Sequence, residues 1–493
     1  MTTPLSRRLL LGGGLGTLAT GLVAPGTSQA ATGLVLPTPG PYTGPSDTEV
    51  YGAPTANPLV LQRADPFVTR PVDGMYFFTG SVPEYDRIIV RGAPTITGLG
   101  TAEESVVWRR PTTGTMGGHI WAPELHRIGT RWFIYFAAGD KDNVFRVRMY
   151  VISSSLSDPR DPAGWSAPQR IETPWDAFSL DATTFAHRGR RYFVFASGEP
   201  EIAVNSSLYI AQMASPTKLA TYPVRISKPT LNWEVQGYKV NEGPAVIIRN
   251  GKVFMTYSAS ATDARYCMGL LTASADANLL DWRSWSKSPE PVFTTWEPTS
   301  QYGPGHNCFT VAEDGVTDVM VYHARDYRDI TGDPLYDPNR HARAQRLYWD
   351  RDGNPLFGVP VGKGGPIVRL ATTQARRTFL RHEDDRLVVD TSGHDLAATQ
   401  FRLVDGLAGA GTVSIQSVDY PDRCVWSDGQ AVHVGVPAAG QEAQASWRRL
   451  AGPAGGDSTS LQWAADARRY LGHTTGQAVL DRLGSRQSSF WTA

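Results

Sequence analysis

Asn241-Glu242-Gly243-Pro244-Ala245-Val246-Ile247-Ile248-Arg249-Asn250-Gly251-Lys252-Val253-Phe254-Met255-Thr256-Tyr257-Ser258-Ala259 reads as a polar opening, an apolar strand, a turn and a second apolar strand. The same order recurs at 64–81 (ADPFVTRPVDGMYFFTGS), 121–139 (WAPELHRIGTRWFIYFAAG), 180–198 (LDATTFAHRGRRYFVFASG) and 305–324 (GHNCFTVAEDGVTDVMVYHA). The lead residues are Asp65, Glu124, Asp181, Glu242 and His306. A repeat of about 60 residues with two or more strands per unit predicts a five-bladed β-propeller over 56–372. The innermost strand of every blade lines the axis, so five polar openings converge on one pocket. Strands are expected at Tyr76–Thr79, Trp132–Ala137, Tyr192–Ala196, Val253–Tyr257 and Val319–Tyr322. A late strand and tight turn follow at Leu347–Pro355.

Working outward, the chain changes character at both ends. Ser6-Arg7-Arg8-Leu9-Leu10-Leu11 precedes a weakly apolar, Gly-rich stretch, and Ser28-Gln29-Ala30 offers small residues for cleavage. Residues 1–30 therefore read as a twin-arginine signal peptide and predict a secreted, extracellular protein. Residues 31–55 are a Pro/Gly/Thr-rich leader or linker, which would supply a strand to close the propeller. Beyond Gln374 three shorter units of roughly 40 residues follow, which predicts a β-trefoil over 373–493. The fold class is all-β, a five-bladed propeller followed by a trefoil.

Lys+Arg and Asp+Glu both number 47, with no long run of either sign. This argues against nucleic acid or a membrane surface as partner. No stretch approaches ~18 uninterrupted apolar residues beyond the leader. A monomer is expected. The three cysteines, Cys267, Cys308 and Cys424, lack zinc-site spacing and form no disulfide framework. A Cys267–Cys308 bridge is the alternative to three buried thiols.

Asp65, Asp181 and Glu242 each stand among apolar or small residues. Burying a carboxylate is costly without partners. Singly, such an acid reads as an acceptor tying down a strand end. Three at matching places in separate repeats, brought together by the fold, shift each other's proton affinity. That supplies what glycoside hydrolysis needs, one carboxyl ionised and another protonated. His306 reads either as a core residue or as a ligand for an axial cation or water. Glu124 reads as a hydrogen-bonding partner within its blade, Trp121 as a stacking wall, and Arg340 or Arg343 as a guanidinium at the pocket.

These residues lie in motifs that resemble glycoside hydrolase family 43. They are Ala64-Asp65-Pro66, Ser81-Val82-Pro83-Glu84-Tyr85-Asp86-Arg87, Gly118-His119-Ile120-Trp121-Ala122-Pro123-Glu124, Phe178-Ser179-Leu180-Asp181-Ala182-Thr183-Thr184-Phe185, Lys239-Val240-Asn241-Glu242-Gly243-Pro244-Ala245, Tyr257-Ser258-Ala259-Ser260 and Gln301-Tyr302-Gly303-Pro304-Gly305-His306-Asn307. The chain is most similar to the exo-1,5-α-L-arabinofuranosidases within that family. The resemblance implies an inverting mechanism, with Asp65 the general base, Glu242 the general acid and Asp181 the modulator of the acid's pKa. Trp121 and Arg343 are then expected to bind substrate, namely arabinan or arabino-oligosaccharide. No cofactor is required, and the resemblance adds a structural Ca²⁺ near His306. A β-xylosidase, an endo-arabinanase and a non-catalytic carbohydrate-binding protein are the alternatives.

The C-terminal units resemble the arabinofuranosidase B domain, a carbohydrate-binding module of family 42. His382 and His473 match that family's sugar-binding histidine in lobes one and three, whereas Ser427 replaces it in lobe two. The aspartates that would accompany them are Ala398, Gln444 and Gln487 here. Weakened sugar binding, altered specificity or a purely structural role is expected.

Overall fold

The computed structural model describes residues 57–350, 352–364, 367–373, 378–390, 396–456, 458–482 and 486–492. The signal peptide and the leader expected over 1–55 lie outside the described residues. No helix among the described residues is long and apolar enough to cross a membrane.

Five antiparallel sheets form the blades, each beginning with one of the repeat strands. Their inner strands are Ala64–Val68, Ile120–Ile128, Ser179–His187, Asn241–Arg249 and Tyr302–Val311. The second strands are Tyr76–Ser81, Arg131–Ala138, Arg190–Ser197, Lys252–Ala259 and Asp318–Arg325, which contain every second strand expected from the sequence. These strands are buried on both faces, because each blade is packed between two others. The apolar cores accordingly lie between blades. Phe77, Ile88 and Val90 of blade 1 meet Trp132, Ile134 and Phe136 of blade 2. Val68 and Tyr76 of blade 1 meet Val319 and Val321 of blade 5.

Blade 5 has only three strands in its sheet, ending in His341–Arg346. The chain just ahead of blade 1 covers that strand's free edge. Val60 bridges Ala342, with Ala342 N–H donating to Val60 O at 2.9 Å, and Asn57 Oδ1 accepts from Ala344 N–H at 2.9 Å. Pairing the start of the propeller with its last blade closes the ring and removes an open edge. Tyr348–Trp349 then pairs with Pro355–Leu356 as the late hairpin.

The C-terminal domain is a 12-stranded antiparallel assembly. Three hairpins (Phe379–Glu383 with Arg386–Asp390, Cys424–Ser427 with Val432–Gly435, Arg469–His473 with Ala478–Arg482) alternate with three crossing pairs. The pairs are Leu370–Thr372 with Phe490–Thr492, Phe401–Asp405 with Val413–Ser417, and Trp447–Ala451 with Thr459–Trp463. Leu380, Phe401, Ile415, Val425, Trp447, Leu461, Leu471 and Phe490 share one core. Leu370–Thr372 holds the last strand of this domain, so the boundary expected at 373 falls too late. All three cysteines are buried free thiols.

Candidate active site

Each inner strand breaks its pairing at the same level. The register shifts between Ala64 and Phe67, between Trp121 and Glu124, between Glu242 and Ala245, and between Gly305 and Cys308; in blade 3 it shifts opposite Asp181. At each of these bulges one residue has left-handed backbone: Asp65 (φ 51°), Ala122 (45°), Asp181 (56°), Gly243 (54°) and His306 (42°). Only one is glycine. A non-glycine residue there costs about 1–3 kcal/mol, a strain that persists at functional sites because the surrounding fold holds it.

The true structural equivalents are therefore Asp65, Ala122, Asp181, Gly243 and His306. Glu242 stands one residue before the bulge and Glu124 two after it, so the sequence alignment of five lead residues was out of register in two blades. Glu124 pairs with His126 (Oε2 to Nε2, 2.8 Å) in a separate cavity farther along the inner strands.

Neighbouring blades brace the bulges. Ser81 Oγ accepts the Ala122 N–H at 2.8 Å, Ser258 Oγ accepts that of His306 at 2.7 Å, and His323 Nδ1 accepts that of Asp65 at 3.0 Å. Asp181 Oδ2 takes the Gly243 N–H at 2.9 Å. A Cβ on Gly243 would lie 3.0 Å from the His306 ring, so the absence of a side chain there lets the imidazole lie close. Upstream of Glu242, the wholly buried Glu234 accepts hydrogen bonds from Asn241, Tyr257 and Lys287 and fixes the start of that strand.

The result is a cavity of about 440 Å³ that brings together Asp65, Asp181, Glu242, His306, Trp121 and Arg340. Its size suits a small ligand. Asp65 accepts from Ser81 Oγ at 2.5 Å and has His306 Nδ1 at 3.2 Å and Arg340 Nη1 at 3.4 Å. Burial works to raise its pKa, but the charges of His306 and Arg340 outweigh burial and hold it well below the usual carboxylate range. His323, although 3.5 Å from the same carboxylate, is no counter-ion. Burial holds it neutral, and its Nδ1 is already an acceptor.

Glu242 experiences the opposite environment. Desolvation and the neighbouring Asp181 charge push it up to about 8, against the opposing pull of a Tyr266 hydroxyl at 2.8 Å and of His306. Asp181 is raised to about 6, by burial first and by Asp65, with His306 opposing. His306, which burial would discharge, is instead lifted to about 9 by Asp181 and Asp65. His306 thus faces both Asp65 and Asp181, Arg340 faces Asp65, and Glu242 is left as the group that keeps its proton near neutral pH.

Trp121 walls the cavity as expected, in aromatic contact with His119 (ring centroids 4.8 Å apart) and Tyr85 (5.8 Å). Arg343 does not line it. Its side chain is fully buried on Asp326, because the strand His341–Arg346 turns it away from the axis. Arg340, just before that strand, reaches Asp65 and donates to Tyr85 Oη at 2.8 Å. Tyr266 and Ser81 were missed in the sequence because neither belongs to a repeat opening. A calcium ion near His306 would need ligands beyond that imidazole. Calcium takes hard oxygen ligands, and no three His, Cys, Asp or Glu side chains among the described residues are grouped to hold a metal.

In the C-terminal domain, His382 Nε2 lies 2.8 and 2.9 Å from the two oxygens of Asp419. The Asp419 carbonyl in turn accepts from the indole of Trp296 in the propeller at 2.6 Å. His473 is buried with Nε2 unpartnered. Ser427 closes its own hairpin through Ala431 O.

Residues 55–355 match Glycosyl hydrolases family 43, and residues 368–492 match the Alpha-L-arabinofuranosidase B (ABFB) domain. An extracellular exo-alpha-(1->5)-L-arabinofuranosidase of Streptomyces avermitilis is 51% identical over 78% of this chain and 79% of its own. Alpha-L-arabinofuranosidase 43 of Humicola insolens is 47% identical over 84% of this chain and 89% of its own. The crystal structure of an alpha-L-arabinofuranosidase from Lactobacillus brevis superposes with a TM-score of 0.61 at 52% identity, covering 63% of this chain and 98% of that one. The chain belongs to glycosyl hydrolase family 43 and carries an arabinofuranosidase B domain behind its catalytic propeller.

Proposed function

We infer that this protein is an inverting, exo-acting α-L-arabinofuranosidase that releases terminal L-arabinose from α-1,5-linked arabinan or arabino-oligosaccharides. The observation that carries this reading is two carboxyls in one cavity with opposed surroundings, Asp65 against His306 and Arg340, and Glu242 beside Asp181 and the Tyr266 hydroxyl. In this scheme a water on the Asp65 side attacks the anomeric carbon as the Asp65 carboxylate takes its proton. Glu242 gives its proton to the glycosidic oxygen as the bond between that oxygen and the anomeric carbon breaks. Arabinose leaves with inverted configuration, and the shortened chain leaves with a new hydroxyl. Asp65 then sheds its proton and Glu242 regains one from solvent. Asp181 keeps Glu242 protonated through its charge and orders the adjoining backbone through Gly243. The scheme draws on the chain's own acid and base, so no cofactor enters it.

The Trp121 ring and the Arg340 guanidinium, which both line the cavity, are the groups offered to the sugar. The threefold alternation of hairpin and crossing pair supports a β-trefoil for the C-terminal domain. Of its two histidines, His382, held by Asp419, is the one with surface left to meet a sugar, since His473 is buried. Export through the twin-arginine leader and a monomeric state complete the reading.

Linear α-1,5-arabinan tests it. The expected product is arabinose alone, appearing first as the inverted anomer by NMR, with xylosides untouched. Oligosaccharides of mixed size would instead indicate endo action, and no release at all would leave a binding protein. For the module, H382A should weaken retention on arabinan in affinity electrophoresis more than H473A does.

A further inference from the structure

Two large aromatic side chains at the catalytic cavity are more than half exposed. Phe145 is 52% exposed and Tyr238 is 59% exposed, and both line the cavity. Phe145 extends the Trp121 wall, its ring 6.2 Å from the indole. Tyr238 stands four residues before Glu242, on the segment that becomes the inner strand of blade 4. At most ~14 Å of extended chain separates the two residues.

That segment is pinned at several points. Gln236 N–H donates to Ser260 Oγ at 2.9 Å, and Gln236 O accepts from Ala261 N–H at 2.8 Å. Asn205 binds Lys239 twice, its Oδ1 accepting from Lys239 N–H at 2.8 Å and its own N–H donating to Lys239 O at 2.9 Å. Asn241 N–H donates to Ser206 O at 3.1 Å. An exposed ring on a braced backbone loses little freedom when something stacks on it, which is the preorganisation that makes a contact effective.

The direction of proton transfer says what stacks there. Glu242 must reach the glycosidic oxygen, and the leaving sugar is bonded to that oxygen, so the leaving sugar lies on the Glu242 side. Asp65 and the attacking water occupy the other side. We propose that Tyr238 is the platform for the leaving-group arabinofuranose and so sets the preference for oligosaccharide over simple glycosides. This rests on the exo-arabinofuranosidase reading. The carbon-bound hydrogens of a furanose face pack on the phenol ring, and the ring edge stays wet.

Full-length wild type, Y238A and Y238F should be compared on α-1,5-arabinobiose, whose leaving group is a sugar, and on methyl α-L-arabinofuranoside, whose leaving group is too small to reach the ring. Loss of the ring in Y238A should lower kcat/KM on arabinobiose about tenfold, the size of one stacking contact. Y238F should restore it, and all three proteins should agree within about twofold on the methyl glycoside. Equal losses on both substrates, or no loss on arabinobiose, would overturn the assignment of Tyr238. Wild type that cleaves neither substrate would instead overturn the activity on which it rests.

Discussion

Asp65 and Glu242 are carboxylates in one cavity, opening inner strands of the same kind, yet they hold their protons oppositely. Asp65 sits at a bulge, turned toward His306 and Arg340, and two positive charges outweigh its burial. Glu242 sits one residue off the bulge, beside Asp181 and a neutral tyrosine, and the pull of His306 does not outweigh its burial and the Asp181 charge. The side-chain type supplies the chemistry, and the neighbours decide which half of it each group performs.

The largest effects should come from removing either half. E242Q should lower kcat on arabinobiose about 10³-fold, but by less than about tenfold on an aryl arabinofuranoside whose leaving group needs no proton. D65N should lose roughly 10²–10⁴-fold on both substrates, because the attacking water needs its base whatever leaves. Similar losses for the two variants on the aryl substrate would erase the distinction between the two corners.

Removing a cation should act on one corner alone. R340M should lower kcat/KM about 10–100-fold and move the acid limb of its pH profile upward, since Asp65 loses a charge that favours ionisation. R343A is the control. It removes a buried partner of Asp326 and should cost roughly 2 kcal/mol of stability in denaturant unfolding, leaving kcat/KM near wild type.

The finest test is the alkaline limb of kcat/KM, which follows loss of the Glu242 proton and is expected near 8 in wild type. Asp181 raises that pKa by repulsion, so D181N should shift the limb to lower pH as well as slowing turnover. The Tyr266 hydroxyl stabilises the ionised form, so Y266F should shift it to higher pH. Shifts of the same sign would show that these neighbours do not act through Glu242.

Much of this was legible in the sequence because five apolar strand pairs at one spacing admit few folds, and the three acids stand in each case at the polar opening. The register was not legible. The bulge that aims Asp65, Asp181 and His306 at the axis falls on Ala122 and Gly243 in the other two blades, and neither advertises chemistry. Arg340 and Arg343 differ only by position relative to a strand start, which the sequence does not mark. Tyr266 opens no repeat, and it reaches Glu242 only because Gly305 leaves room for its ring. In the C-terminal domain the partner of His382 is Asp419, which lies in the next repeat, so a search within one lobe misses it.

Infrared difference spectroscopy at neutral pH reads the two protonation states directly. A protonated-carboxyl band should be present in wild type and D65N and missing from E242Q. A band that survives E242Q and vanishes in D65N would contradict the division of labour between the two corners.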